Sequence, residues 1–133
     1  MLEQPNLSAL KTELEKLYND FHRDLPAGES PQEVNELRQM AAHATSSMLT
    51  LSLYRRSLEE YIRKKEAEVI LAHNIAHDVP TPKDQSMQAF INKELAEEKS
   101  YFHQLESMID IAKTRTLLIM SLLKSLGESR YVA

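Results

Sequence analysis

The segment SPQEVNELRQMAAHATSSMLTLSLYRRSLEEYI, residues 30–62, carries the pattern that decides the fold. It opens with a capping box, in which the Ser30 hydroxyl accepts from the amide of Glu33 and proline occupies the first helical position. Small and apolar residues then recur at seven-residue intervals, in one series from Val34 and a second from Leu37. A repeat of this kind predicts a long helix that packs against another helix by knobs-into-holes contacts.

The same periodicity extends on both sides of this segment. Apolar residues spaced by three and four precede it, and a second long heptad series ends at Leu126, just before Gly127, a natural helix stop. Proline and glycine lie between the periodic stretches. We therefore predict a single helical domain, residues 1–133, with three helices at about residues 7–25, 31–78 and 82–126.

The predicted fold is all-α, a three-helix antiparallel bundle with one short helix packed on a long two-helix coiled-coil hairpin. Folding about the Pro80–Pro82 turn places Lys65 opposite Glu98, and this pair would set the register. The short first helix should run along the start of helix 2 and cover about residues 31–50.

A two-helix arm beyond that point would leave apolar side chains uncovered. Exposed apolar surface costs about 25 cal/mol per Å², so a partner or a second copy is expected to cover it. We predict a homo-oligomer, with a symmetric dimer favoured. The predicted interface consists of Tyr54, Tyr61, Ile70, Phe90, Tyr101 and Met108.

Composition excludes several classes of function. The 133 residues carry a formal net charge of −4, contain no cysteine and include only two glycines. Disulfide frameworks, thiolate zinc sites and glycine-rich phosphate loops are thereby excluded. No apolar run approaches the roughly 18 residues of a membrane span, and the first residues lack the layout of a secretion signal. We expect a cytoplasmic protein with no membrane partner.

Histidine spacing offers one candidate metal site. His73 and His77 are separated by four residues, which places two imidazoles on one helical face. The Glu-x-x-His pairs of di-iron bundles are missing, and polar residues near a hairpin tip explain the same spacing. We expect no metal centre and no cofactor.

Five positive charges on helix 2 form a candidate nucleic-acid contact, since a basic helix face can bind phosphates. Glutamates interleave with them at the spacing of intrahelical ion pairs, and a solvated coiled-coil flank is the alternative explanation. The five residues are Arg55, Arg56, Arg63, Lys64 and Lys65.

Catalytic constellations are missing from the sequence. No nucleophile, base and oxyanion site occur together in a pattern that catalysis requires, and the carboxylates of the last helix have the spacing of a solvated face. We therefore expect the protein not to be an enzyme.

Three pieces of the chain resemble small helical-hairpin accessory proteins of tailed bacteriophages. These pieces are LYRRSLEEYIRKKEAEVILAH, VPTPKD and IAKTRTLLIMSLLKSL, which lie between Leu53 and Leu126. The resemblance implies a viral protein of the host cytoplasm, encoded among replication and recombination genes and without defined catalytic residues.

Together these observations predict a non-enzymatic, self-associating coiled-coil protein that binds another protein, as a phage accessory, inhibitory or assembly factor. The alternative is a nucleic-acid-binding accessory protein of phage replication or recombination that uses the basic face of helix 2.

Overall fold

A computed structural model describes the backbone of residues 5–77 and 85–131 and the side chains of residues 5–72 and 88–127. The described residues contain no strand, so the predicted all-α class is confirmed. The helices are α1 (Leu7–Phe21), α2 (Pro31–His77), α3 (Gln85–Glu94) and α4 (Ala96–Tyr131).

Side-chain caps explain where the first two helices begin. The Ser30 hydroxyl accepts a hydrogen bond from the amide of Glu33 at 3.2 Å. The Glu33 carboxylate reaches back and accepts from the amide of Glu29 at 3.0 Å, so the capping box predicted for α2 is present with its return bond one residue before the N-cap. In α1, the side-chain oxygen of Asn6 accepts from the amide of Ala9 at 3.0 Å.

The predicted third helix corresponds to α3 and α4, which are separated at the buried residue Leu95. Backbone hydrogen bonds continue across the break, because the Leu95 amide donates to Ile91 and the Leu95 carbonyl accepts from Lys99. Two hydrogen bonds with α-helical spacing thus span the break. The predicted turn at Pro80–Pro82 lies outside the described residues.

Two predicted helix ends are wrong. α1 stops at Phe21 rather than at residue 25, and α4 continues past Gly127 to Tyr131. Gly127 does not adopt the left-handed conformation that ends a helix, and the positive φ is instead found at Gly28 in the loop before α2. A side chain at Gly28 would collide with Leu126, so this loop packs tightly on the end of α4.

α2 and α4 pack along their heptad seams. Leu37, Leu51 and Leu105 are completely buried, in agreement with their positions in the repeat. Glu66 and Lys99 form an ion pair across the two helices at 2.8 Å. They lie one residue beyond Lys65 and Glu98, the pair that the sequence predicted.

That predicted pair is wrong, because Lys65 turns to Glu68 of its own helix, at 3.5 Å. In an antiparallel pair, one step forward on one helix faces one step back on the other. The observed pair, displaced forward by one residue on both helices, therefore belongs to a register shifted by two residues, about 3 Å along the helices.

The first helix lies further along α2 than predicted, so only its last turn, at His43, lies on the predicted stretch 31–50. Its start lies beside the 54–64 stretch of α2, where Ala9 and Leu10 line a depression together with Tyr61. It packs chiefly against α4. The extended segment 22–30 then leads back to the start of α2, and this return places α1 further along the rod than a short loop would.

Arg115 of α4 holds the C-terminal end of α1. Its guanidinium donates to the carbonyl oxygens of Phe21 and Arg23, each at 2.7 Å. Carbonyls at a helix end have no partner within the helix, and a cation there also complements the helix dipole. Burial, with a smaller contribution from the charge of Arg23, lowers the pKa of Arg115. A guanidinium nevertheless stays protonated, so the contact persists at neutral pH.

We predict that Arg115→Ala lowers the free energy of unfolding by about 2–3 kcal/mol, because two charge-assisted hydrogen bonds are lost. Urea denaturation followed by circular dichroism measures the change. Arg115→Lys keeps the charge but not the forked donor and should recover only part of the loss. The exposed neighbour Thr114 serves as control, and an equal loss in Thr114→Ala would contradict the assignment.

We predict opposite effects at the two glycines of the chain. Gly28→Ala should destabilise the protein by about 1–2 kcal/mol or more, because the positive φ is strained for alanine and its methyl collides with Leu126. Gly127→Ala should be neutral or stabilising by up to about 1 kcal/mol, since alanine favours helix and no atom lies within 4 Å of the added carbon. Thermal unfolding of both variants checks the prediction, and equal melting temperatures would contradict it.

Candidate interaction surface

The six residues predicted to form an interface differ in exposure. Tyr61 and Met108 are buried, and the interface prediction is wrong for these two residues. α1 covers this part of the rod, which explains the difference. Ile70 and Tyr101 are half-buried and pack against the core, whereas Tyr54 and Phe90 are exposed.

Uncovered apolar residues are found instead at the end of the rod that the first helix was predicted to cover. Leu49 is 63% exposed and Met120 is 54% exposed. They border a groove between α2 and α4 with a volume of about 770 Å³. We call it the end groove; it is lined by Arg38, Ala41, Ala42, Thr45, Ser46, Leu49, Met120, Leu123 and Lys124.

The shape of the end groove follows from the sizes of the side chains that line it. Its α2 wall consists largely of small residues such as Ala42 and Ser46, whereas Leu49 and Met120 protrude from its borders. Small residues opposite bulky ones let two helices approach closely, which is the arrangement predicted from the sequence. The sequence contains the signal for this surface, but the same small residues also suit the docking of the first helix, which is where the prediction placed it.

Heptad spacing extends the surface beyond the groove. Leu117 lies three residues before Met120 and seven before Lys124, so it points to the same side of α4. It is 62% exposed. By the register of the Glu66–Lys99 pair, Leu117 lies at the height of Leu49 on α2. Three large apolar side chains thus share one exposed area.

A second groove lies on the side that faces α1. It has a volume of about 850 Å³ and lies between α1 and α4. The buried side chains of Leu14 and Met108 line it, and Tyr18 and His103 are exposed at its borders. Its mixed apolar and hydroxyl lining suits contact with a protein side chain.

His43 pairs with Asp20 at 3.2 Å and thereby joins α2 to the last turn of α1. Its serine neighbour Ser46 lines the end groove. In residues 5–72 and 88–127, no three histidine or carboxylate side chains come together as a metal site would require. The side chains of the candidate ligands His73 and His77 lie outside the described residues.

The five basic residues of α2 spread around the helix. Because consecutive helical residues are about 100° apart, Arg63, Lys64 and Lys65 point in three directions. Lys64 contacts Glu60 at 3.0 Å, and Lys65 contacts Glu68. Arg55 is half-buried and Arg56 is exposed.

The hydrogen bond from Lys64, reinforced by its charge, lowers the pKa of Glu60. A lowered carboxyl pKa in the folded state stabilises the protein above the pKa of the unfolded chain, and the effect is lost as the pH falls through the folded value. At neutral pH the ion pair is therefore intact, and Lys64 has a carboxylate partner in place of a phosphate.

Within residues 5–77 and 85–131, no helix combines the length and apolarity that a bilayer crossing needs.

Comparison of the chain with protein families, with curated proteins and with solved structures finds no match.

Proposed function

We propose that the protein is a non-enzymatic, self-associating coiled-coil protein whose role is to bind another protein. The observation that supports this proposal is the exposed apolar area formed by Leu49, Leu117 and Met120 around the end groove. Large apolar side chains that cluster on a surface favour association, because each Å² removed from water contributes about 25 cal/mol.

A second copy of the chain would cover the end groove and its apolar borders. The groove offers both the protruding leucine and the shallow wall of small residues that could receive one. A surface that carries both halves of a complementary fit can pair with itself around a two-fold axis. Self-association would remove Leu49 and Met120 of both copies from water.

The groove between α1 and α4 would remain available to a different protein. It lies on the side of α4 that carries Met108, away from the residues that border the end groove. A dimer would thus present two copies of this second surface, which raises the effective concentration for any partner with two matching sites. An accessory, inhibitory or assembly role in a bacteriophage is the context that the sequence resemblance favours.

We predict that Leu49→Lys and Met120→Lys each weaken self-association by at least about tenfold, since a symmetric dimer contains every changed site twice. Sedimentation velocity at micromolar concentrations measures the association constant. Leu71→Lys is the matched control, because Leu71 lies on the same helix and is 61% exposed. Its association constant should equal that of the unchanged protein.

A wild-type chain that stays monomeric at these concentrations would overturn the proposal. Salt-sensitive binding to DNA that is lost in Arg56→Glu and Arg63→Glu would instead support the nucleic-acid alternative. Circular dichroism of every variant confirms that the helices are retained.

A further inference from the structure

The charges around the exposed apolar area are unevenly distributed. Arg38 and Lys124 lie at the end of the groove nearest the start of α2. Toward the middle of the rod, heptad spacing brings Glu59 onto the same side of α2 and Asp110 onto the same side of α4. All four side chains are exposed. The surface therefore has a cationic end and an end that carries carboxylates, with Leu49 and Leu117 between them.

We propose that the occupant of this surface is a second copy of the chain that runs antiparallel to the first, with the two-fold axis at the height of Leu49 and Leu117. The inference rests on the self-association proposed above and adds its geometry. A two-fold axis at this position places α2 on α2 of the other copy and α4 on α4. Leu49 then faces Leu49 of the other copy, and Leu117 faces Leu117.

Charge complementarity selects this arrangement. Lys124 and Asp110 lie seven residues on either side of Leu117, so each lysine comes opposite an aspartate of the other copy. Arg38 and Glu59 lie eleven and ten residues on either side of Leu49, so they also come opposite each other. Opposite charges that meet across an interface determine its register and orientation.

The other cations of the surface do not oppose this register. Arg56 lies seven residues after Leu49 and comes opposite Ala42. Lys113 lies four residues before Leu117 and comes opposite residues 120–121 of the other copy. Its aliphatic stem can cover Met120 of that copy. No two cations of this surface face each other.

A parallel dimer would use the same surface with a less favourable charge pattern. An axis along the rods would bring Arg56 near Asp110 of the other copy, but it would also place Arg38 and Lys124 of both copies at one end, which brings four positive charges together. Repulsion between like charges disfavours that arrangement. The antiparallel arrangement separates the cationic ends by the length of the interface.

The area is sufficient for a specific dimer. The surface runs from Arg38 to Glu59, which is about 32 Å at 1.5 Å per residue, and it is two helices wide, about 20 Å. The two dimensions give on the order of 600 Å² per copy, the lower end of the range for stable specific interfaces.

Because the chain contains no cysteine, single-cysteine variants report on the axis directly. We expect Leu49→Cys and Leu117→Cys each to form a disulfide-linked homodimer on mild oxidation, because residues near the axis meet their own counterparts within the roughly 7 Å that a disulfide requires. Lys124→Cys is the control, because its counterpart lies about 21 Å away along the helix. Crosslinking is measured on non-reducing gels.

Charge reversal tests the register independently. Lys124→Asp and Asp110→Lys should each weaken association by about fivefold to tenfold, because two ion pairs are replaced by two repulsions. The double variant should return to within about threefold of the unchanged protein, and the differences should shrink in high salt. Sedimentation velocity measures all three variants.

The outcomes separate this inference from the proposal on which it rests. If disulfides form only when Leu49→Cys and Leu117→Cys are mixed, the dimer is parallel; this geometry is then overturned while self-association stands. A dimer that forms no disulfide at either position and ignores the charge reversals likewise overturns the geometry alone. A monomeric wild-type protein overturns both.

Discussion

The position of α1 depends on the two hydrogen bonds that Arg115 donates to the carbonyls at its end. A short helix with one apolar stripe could slide along a rod of two long helices, because a heptad seam offers similar contacts at successive positions. Two directional bonds at 2.7 Å remove that freedom. α1 covers Tyr61 and Met108 on its own side of the rod, and the end groove on the other side of α2 and α4 stays open.

The long helices could be predicted from the sequence because their determinants are local. The capping box at Ser30 and the heptads of α2 and α4 involve residues a few positions apart, and both are present in the structure. The position of α1 has no local determinant, since Arg115 lies 94 residues from Phe21 and any of several cations could have served. The prediction that the last helix ends before Gly127 is wrong for a related reason, because a glycine ends a helix only where the chain turns away from the helix axis.

The predicted interface names partly the wrong residues for the same reason, because the position of α1 was not predicted correctly. The heptad pattern identifies the apolar residues that lie outside the contact between two helices. It does not show which of these residues α1 covers. α1 lies on the side of the rod that carries Tyr61 and Met108, which are therefore buried, whereas Leu49 and Met120 lie on the other side and stay exposed. Burial on a rod with a repeating pattern is decided by tertiary contacts that single-sequence periodicity does not contain.

The contact of Gly28 with Leu126 has a consequence for the newly made chain. Translation proceeds from the N-terminus, and a segment can dock only after its counterpart has left the ribosome. The loop before α2 therefore waits for almost a hundred further residues, and the apolar stripe of α1 is without its anchor until Arg115 emerges. Until α4 has been made, the apolar residues of α1 lack the helix that they pack against, and chaperones that hold nascent chains can bind them.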